Sequence, residues 1–233
     1  MDFDTLTFAD VSRSFGRRRA LSRITFSCTA GEIIGVLGPN GSGKSTLLSI
    51  AAGVVNPTAG RVLYGNETAR TGGAALRATI GLLAHDLFLY PELSAAENLR
   101  FFGRLYGLDQ IESVVDRALI RAHLVDRRDD LVSGFSRGMR QRLAIERALV
   151  HSPRLVLLDE PFTGLDDAAV TALQARLTEL RAAGSIVLLT THDLETIDGV
   201  IDRAVMLNAG KLAPFDAGGG RLRDRYRRAS TTS

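Results

Sequence analysis

The sequence predicts an α/β protein whose mostly parallel sheet carries helices on both faces, with a helical lobe inserted between two halves of the sheet. Two observations support this class. Short apolar runs of strand length alternate with stretches of helical periodicity, a pattern that indicates strand–helix–strand units and a parallel sheet. Within residues 94–150 the apolar positions recur at helical spacing, which places roughly 60 residues of mainly helical chain between strand-like segments.

The individual elements follow from the local apolar pattern. The runs predicted as strands cover residues 6–11, 24–28, 33–37, 61–64, 80–84, 155–158, 186–189 and 204–207. Helices are predicted over about residues 45–52 and 167–183, with further helices inside 94–150, the last of them opening at Ser136. The chain is therefore interpreted as one domain, 1–233, with a core formed by residues 1–85 and 151–217 and a helical lobe formed by residues 86–150.

The composition is that of an ordinary globular protein. Of its 233 residues, 45% are hydrophobic and 24% are charged, so the chain can bury a proper core. A single cysteine, Cys28, excludes an internal disulfide, and its place on a predicted strand indicates a small core residue. The N-terminus lacks the basic and apolar regions of a signal peptide, and no apolar run approaches the ~18 residues of a membrane span. We therefore expect a chain that does not cross a membrane by itself.

The positive charge is concentrated at the C-terminus. The formal net charge is +3, but residues 218–233 contain five arginines and one aspartate, so this tail carries +4 and the rest of the chain −1. The body thus lacks the basic footprint of a nucleic-acid-binding protein, and we expect no nucleic-acid partner. The tail is predicted to be a flexible, solvated extension; contact with anionic headgroups or with a partner is the alternative.

A glycine-rich motif lies between the predicted strand 33–37 and the helix after it. It has the form G-x-x-x-x-G-K-[ST] and consists of Gly38, Pro39, Asn40, Gly41, Ser42, Gly43, Lys44, Ser45 and Thr46. A buried strand, a glycine-rich turn and a helix N-terminus direct backbone N–H groups at one point, which suits a polyphosphate. Lys44 supplies a charge for the β- and γ-phosphates of a nucleotide, and the Ser45 hydroxyl suits Mg²⁺.

An acidic pair follows the predicted strand 155–158. Asp159 and Glu160 emerge at its carboxyl end, where open α/β sheets place their ligands. Beside a phosphate-binding motif, Asp159 is predicted to hold Mg²⁺, directly or through water. Glu160 is then positioned to polarise a water for in-line attack on a γ-phosphate. Taken alone, such a pair is more often a helix cap or part of a turn.

A second helix N-terminus is predicted at Ser136, a natural N-cap, with Gly138 beside it. One chain with a complete phosphate-binding loop has no evident use for another anion-binding helix end. Two chains related by a two-fold axis could each offer this helix to the nucleotide on the other. An ordinary capped helix is the alternative.

Two further polar residues follow predicted strands. His192 comes after strand 186–189, where a histidine can hydrogen-bond a γ-phosphate and orient the attacking water; a structural histidine is the alternative. Asp166 lies in a loop after the acidic pair and could act across a dimer interface.

In this order and spacing, the motifs resemble the nucleotide-binding subunit of an ABC transporter over nearly the whole chain, from Phe15 to about Lys211. The resemblance implies an ATP-hydrolysing P-loop NTPase core with an N-terminal antiparallel β subdomain, and ATP and Mg²⁺ as its cofactors. It implies that Phe15 stacks on adenine, that Ser136 and Gly138 contact the γ-phosphate bound by a partner subunit, and that Asp166 belongs to the D-loop. The helical lobe is then expected to dock an integral membrane permease, which places the chain peripherally at the cytoplasmic face of the cell membrane. The implied partners are this permease and a second ATPase subunit, identical or paired, on ATP binding.

Three positions depart from the family pattern. The signature reads Phe-Ser-Arg-Gly-Met where Leu-Ser-Gly-Gly-Gln is usual. A gapless alignment places His85, followed by Asp86, where the loop to the helical lobe normally carries Gln. His85 could still meet Mg²⁺ or its water, with pH-dependent ligation. Phe15 replaces the commoner Tyr, which keeps stacking and loses a hydroxyl.

Short segments of the sequence resemble particular branches of the family. Residues 84–86, 97–102 and 160–163 resemble the haem-exporter ATPase of cytochrome c maturation, whereas the signature resembles that of many drug and polysaccharide exporters. We therefore expect export driven through a separate membrane subunit, with haem as one possible cargo and drugs, lipids or polysaccharides as alternatives. A soluble, non-transport ATPase of the same family is a further alternative, although such proteins usually carry two cassettes or a long coiled coil.

Overall fold

The computed structural model describes residues 2–215 and 220–231, and within them nine strands form two sheets. In chain order the strands are β1 (Thr5–Phe15), β2 (Arg18–Thr29), β3 (Ile33–Leu37), β4 (Ala59–Tyr64), β5 (Ile80–Leu83), β6 (Leu155–Asp159), β7 (Ile186–Thr190), β8 (Arg203–Asn208) and β9 (Lys211–Ala213). Each of the eight predicted strands overlaps one of them. The short edge strand β9 was not predicted.

The two sheets differ in strand direction. The smaller sheet is antiparallel, with the order β2-β1-β4. The larger has the order β5-β6-β7-β3-β8-β9; its first five strands are parallel, and β9 pairs antiparallel with β8. The central strands β6, β7 and β3 are joined by crossovers, so their carboxyl ends lie at one edge of the sheet.

The helices cover the large sheet and build the lobe. They are α1 (Lys44–Ala51), α2 (Ala69–Arg77), α3 (Ala95–Leu105), α4 (Ile111–Arg121), α5 (Arg137–Leu149), α6 (Asp167–Ala182), α7 (Leu194–Ile197) and α8 (Leu222–Thr231). The lobe consists of α3, α4 and α5 with two short 3₁₀ turns, Val125–Arg127 and Val132–Gly134. Inside the described ranges, no helix combines the length and the apolar character needed to cross a lipid bilayer.

The core is divided by the faces of the large sheet. Successive side chains of a strand point to opposite faces. Leu155 and Leu157 of β6 therefore enter a cluster with the small sheet and α1, whereas Val156 and Leu158 enter a cluster with α5 and α6. A third cluster holds the lobe together. Because both faces of β6 are fully buried, the strand reads as a continuous apolar run.

The tail differs from the prediction. Residues 222–231 form α8 instead of a solvated extension, and Leu222 is buried in the cluster that contains Ile197. Tyr226, one helical turn later, packs against the same cluster, and Arg223 pairs with Glu195 of α7. The high charge of this segment hid a two-residue apolar stripe at helical spacing. Residues 218, 219, 232 and 233 of the predicted tail lie outside the described residues.

Candidate active site

The loop from Gly38 to Gly43 joins the fully buried strand β3 to α1. Gly38, Gly41 and Gly43 have φ values of 145°, 78° and 110°, in the region that favours glycine. A Cβ on Gly38 would lie 2.2 Å from the carbonyl oxygen of Leu207, and one on Gly43 would lie 2.7 Å from that of Ala20. Glycine is therefore required here by close backbone packing as well as by conformation.

Helix α1 begins at Lys44 without a side-chain cap. Its N-cap residue, Gly43, offers no side-chain acceptor, so the first backbone N–H groups are not satisfied by a cap. The Lys44 Nζ is almost buried and donates to the carbonyl oxygens of Gly38, at 2.8 Å, and Pro39, at 3.2 Å. The ammonium is thus held over the loop, beside a helix end whose partial positive charge favours an anion.

Lys44, the later part of the glycine-rich loop and the start of α1 line a cavity of about 480 Å³, whereas Gly38, Pro39 and Ser42 do not line it. Its walls are formed by Phe15, Arg18, Ala20, Asn40, Gly41, Gly43, Lys44, Ser45, Thr46, His85, Asp159 and Glu160. Residues from the small sheet, the glycine-rich loop, the carboxyl end of β6 and the loop that leads to the helical lobe therefore meet at one place. A cavity of this size lies in the range typical of small-molecule sites.

The acidic pair is fixed by the neighbouring strand β7. Thr190 Oγ1 donates to Asp159 Oδ1 at 2.5 Å and accepts from the backbone N–H of Glu160 at 3.0 Å. Glu160 has a positive φ of 51°, a conformation that is uncommon for this residue type and that turns the chain sharply at the end of β6. Asp159 and Glu160 both line the cavity, and of the two only Glu160 has a positive φ.

His192 contacts Glu160. Its Nδ1 lies 2.9 Å from Glu160 Oε2, and its backbone N–H donates to the same oxygen at 3.3 Å. The imidazole itself is 75% exposed, and the carboxylate is 30% exposed. Two residues predicted to be catalytic are thus in direct contact, and one of them, Glu160, lines the cavity.

The donor set suits Mg²⁺ together with a nucleotide. Ser45 and Asp159 offer a hydroxyl and a carboxylate oxygen to the same cavity. Magnesium is commonly bound through one or two protein oxygens plus phosphates and water, so a larger acidic cluster is not required. No group of three or more His, Cys, Asp or Glu residues suited to a metal occurs among residues 2–215 and 220–231.

Phe15 and His85 also line the cavity. The Phe15 ring is 48% exposed, and the guanidinium of Arg13 lies 4.4 Å from its centroid, so one ring face is covered and the other is open. His85 lines the cavity, whereas the carboxylate of Asp86 accepts from the backbone N–H of Phe88 at 3.2 Å. Of these two neighbours, His85 is the one that lines the cavity.

Ser136, Gly138 and Asp166 do not line this cavity. The Ser136 hydroxyl caps α5 by accepting from the N–H of Met139 at 3.2 Å, and the Asp166 carboxylate caps α6 by accepting from the N–H of Ala169 at 2.8 Å. Gly138 packs closely on its own chain, where a Cβ would lie 2.7 Å from the carbonyl oxygen of Gly164. Within one chain, Ser136 and Asp166 therefore cap helices, and Gly138 packs against the loop at Gly164.

A family model described as ABC transporter matches residues 21–163. The chain belongs to the ABC transporter family. Among curated relatives, "Nod factor export ATP-binding protein I" of Bradyrhizobium diazoefficiens is 39% identical over 86% of this chain and 66% of its own length. "Linearmycin resistance ATP-binding protein LnrL" of Bacillus subtilis is 34% identical over 87% of this chain and 66% of its own length. The chain thus spans just under two thirds of these relatives.

Solved structures of the same family show the same fold. One, described as "Structure of ATP binding subunit of ABC transporter", has a TM-score of 0.89 and 30% identity, over 97% of this chain and 99% of that one. Another is a dimeric, post-hydrolysis state of the ATP-binding cassette MJ0796 bound to ADP and Pi, with a TM-score of 0.81, 26% identity and coverage of 89% and 96%. The predicted α/β fold, with its antiparallel subdomain, is confirmed, and the chain is an ABC-type ATPase domain.

Sequence reasoning gave no role to three residues that shape the site. Thr190 ends β7 opposite Asp159, so the strand pairing of β6 with β7 is what reveals it. Gln141 donates to the carbonyl oxygens of Pro161, at 3.1 Å, and Glu160, at 3.4 Å, and so connects α5 to the loop that carries Glu160. Arg18 lines the cavity from β2. The contacts of Thr190 and Gln141 join positions far apart in sequence, so the residues around them along the chain do not reveal those roles.

Proposed function

We propose that this domain hydrolyses Mg-ATP in the Lys44 cavity and that this hydrolysis powers export by a separate membrane-spanning subunit. The observation that supports the chemistry best is the meeting of Lys44, Asp159 and Glu160 around one cavity, with His192 on the carboxylate of Glu160. Bound ATP is expected to stack its base on Phe15 and to direct its phosphates towards the loop and the N-terminus of α1.

The catalytic roles follow from position. Lys44 and the N–H groups of α1 would stabilise the charge that develops on the β- and γ-phosphates, and Ser45 and Asp159 would hold the metal. Mg²⁺, when bound, neutralises phosphate charge. Glu160 accepts a proton from the attacking water, and His192 holds Glu160 in orientation. His85, from the loop to the lobe, is proposed to contact the metal or its water.

The site is proposed to be completed by a second chain. Ser136, Gly138 and Asp166 lie outside the cavity of their own chain but at exposed or partly exposed positions. The dimeric structure of the relative MJ0796 supports an arrangement of two such domains. We propose that Ser136 and Gly138 of each chain contact the γ-phosphate in the other, with Asp166 at the same interface.

An aromatic surface patch on the lobe is proposed to dock the membrane subunit. Phe88, Tyr90 and Phe101 are each more than two fifths exposed, and the Tyr90 and Phe101 ring centroids are 5.0 Å apart. Leu87 and Leu89, from the same loop, pack against the core clusters instead. The loop thus turns its leucines inward and its aromatic rings outward, as expected of a docking surface.

The names of two relatives bear on the cargo that is exported. Their names refer to Nod factor export and linearmycin resistance, and neither name refers to haem. We therefore propose export in the broader sense, and the segments that resemble a haem exporter remain a prediction that these relatives do not support.

The test of ATP hydrolysis is a single substitution. Glu160→Gln removes the base and leaves the cavity intact, so kcat should fall by roughly 10²–10⁴ while ATP still binds. A Glu160→Gln enzyme as fast as the parent would overturn the assignment.

The membrane proposal is tested by copurification: Phe101→Glu should release the chain from its membrane subunit with basal ATPase unchanged. Leu105→Glu, on the same helix and 68% exposed, is the matched control.

A further inference from the structure

Arg18 is an exposed residue at the edge of the nucleotide cavity. It opens β2 directly after the turn that contains Gly16, and it is the registered partner of Phe15 across the hairpin. Its side chain lines the nucleotide cavity, and its Nη2 lies 3.7 Å from the point that a Cβ on Gly41 would occupy. The guanidinium therefore sits between the aromatic ring and the glycine-rich loop.

Arg18 has no protein acceptor in the described part of the chain. No hydrogen bond or ion pair joins it to any group among residues 2–215 and 220–231, although other arginines in these ranges are paired. Arg13 donates to the Asn56 carbonyl oxygen at 3.0 Å, Arg154 pairs with Asp2 at 3.0 Å, and Arg203 pairs with Glu32. A planar fork of N–H donors is thus presented to the cavity without an anion.

We propose that Arg18 is a second phosphate-binding cation, which positions the polyphosphate of ATP together with Lys44. The proposal rests on the proposed function, because it takes ATP as the ligand of this cavity. Phe15 marks the base end and Lys44 marks the β- and γ-phosphate end, so Arg18 lies over the phosphates between them. Its fork can bond two phosphate oxygens at once, which a lysine cannot do.

The role is positioning, and the expected signature is in affinity. In a Glu160→Gln background, which allows ATP binding to be measured without turnover, Arg18→Ala should weaken ATP by roughly 5- to 30-fold. Arg18→Lys should recover part of this loss because it restores charge but not the fork. AMP, which lacks the β- and γ-phosphates, should lose less than threefold.

The chain supplies its own matched controls. Arg17 and Arg19 flank Arg18 in the same hairpin, are exposed, and do not line the cavity. Arg17→Ala and Arg19→Ala remove the same charge and should change the Kd for ATP by less than twofold. Equal losses at all three positions would reduce the effect to net charge, and an unchanged Kd in Arg18→Ala would also overturn the proposal.

Two remaining outcomes separate the levels of inference. If AMP weakens as much as ATP, Arg18 acts through the base or through Phe15, which contradicts a phosphate role. If the Glu160→Gln parent binds no ATP at all, the proposed function fails first. Isothermal titration with ATP, ADP and AMP at fixed ionic strength measures every arm.

Discussion

Two helix N-termini of this molecule differ in how their backbone N–H groups are satisfied. Helix α1 starts after Gly43 with no side-chain cap, and it opens onto the cavity beneath Lys44. Helix α5 starts at Ser136, whose hydroxyl already accepts from the N–H of Met139. The first end is left open for an anion by its own chain, whereas the second is partly closed and lies outside the cavity.

Under the proposed function, this difference separates a site that one chain completes from one that a second chain would complete. At α1 the cation, the glycines and the proposed metal ligands all come from one chain, so nucleotide affinity should be a property of the single domain. At α5 the exposed cap has no phosphate from its own chain to meet. Contributions of α5 should therefore be visible when two chains close around ATP. The following substitutions test this division, starting with the largest expected effect.

Lys44→Ala should weaken ATP binding by about 10- to 100-fold in the isolated domain, because it removes a charged donor at the open helix end. Titration calorimetry at low protein concentration measures the Kd. Lys211→Ala is the matched control, because Lys211 is exposed on β9 and is the other lysine of the sequence. A comparable loss in both variants would show that net charge, and not the loop, sets affinity.

The sequence was sufficient to predict α1 and its loop because every element there is local: a buried strand, glycines, a lysine and a helix follow within 20 residues of one another. It also predicted every strand of the large sheet except the short edge strand β9. It could not predict that Thr190 holds both Asp159 and the Glu160 backbone, because the pairing of β6 with β7 joins residues about 30 positions apart.

The misjudged tail has a similar cause. Its five arginines dominate any pattern read along the segment, whereas Leu222 and Tyr226 matter only when α7 and the sheet are in place to receive them. The order of the outward aromatic rings and inward leucines in residues 87–90 likewise depends on the backbone turn at Phe88, where φ is 50°. Tertiary packing decides both.

Ser136→Arg tests the second helix end. In the Glu160→Gln background, Mg-ATP should drive dimer formation of the parent, and the added cation and lost cap should weaken it by about 10-fold or more. Light scattering measures the dimer. ATP affinity of the monomer should be unchanged, which distinguishes α5 from α1.

Thr178→Arg adds the same charge on the exposed face of α6 and serves as its control. If that variant also loses the dimer, charge repulsion alone accounts for the result. A parent that remains monomeric under Mg-ATP and is fully active with Glu160 restored would contradict the shared site altogether.

Gln141→Ala should have a smaller effect, because it removes two hydrogen bonds between α5 and the loop that carries Glu160 without touching substrate. We expect kcat to fall about 5-fold with the Kd for ATP unchanged. Arg140→Ala, the preceding position of the same helix, is the control. A raised Kd with kcat unaffected would place Gln141 with the binding groups instead of with Glu160.

Glu146, in the C-terminal half of α5, should affect the pH dependence of the free energy of unfolding and not catalysis. Glu146 is 5% exposed, and burial raises its pKa to about 7, against the lowering effect of Arg176 and Arg121 and with Glu179 and Arg142 on the same cavity wall. Because the ordinary pKa is 4.5, the folded protein holds a proton there that the unfolded chain releases between pH 4.5 and 7. This group therefore lowers the free energy of unfolding as pH rises through that window, and Glu146→Gln should be relatively more stable at pH 8 than at pH 4, by about 2–3 kcal/mol.

Urea unfolding of parent and variant at both pH values gives the difference directly. His151, whose pKa burial lowers to about 4, contributes equally to both proteins, so its effect cancels. An equal difference at the two pH values would mean that Glu146 titrates normally and that the joint between α5 and α6 is open to water.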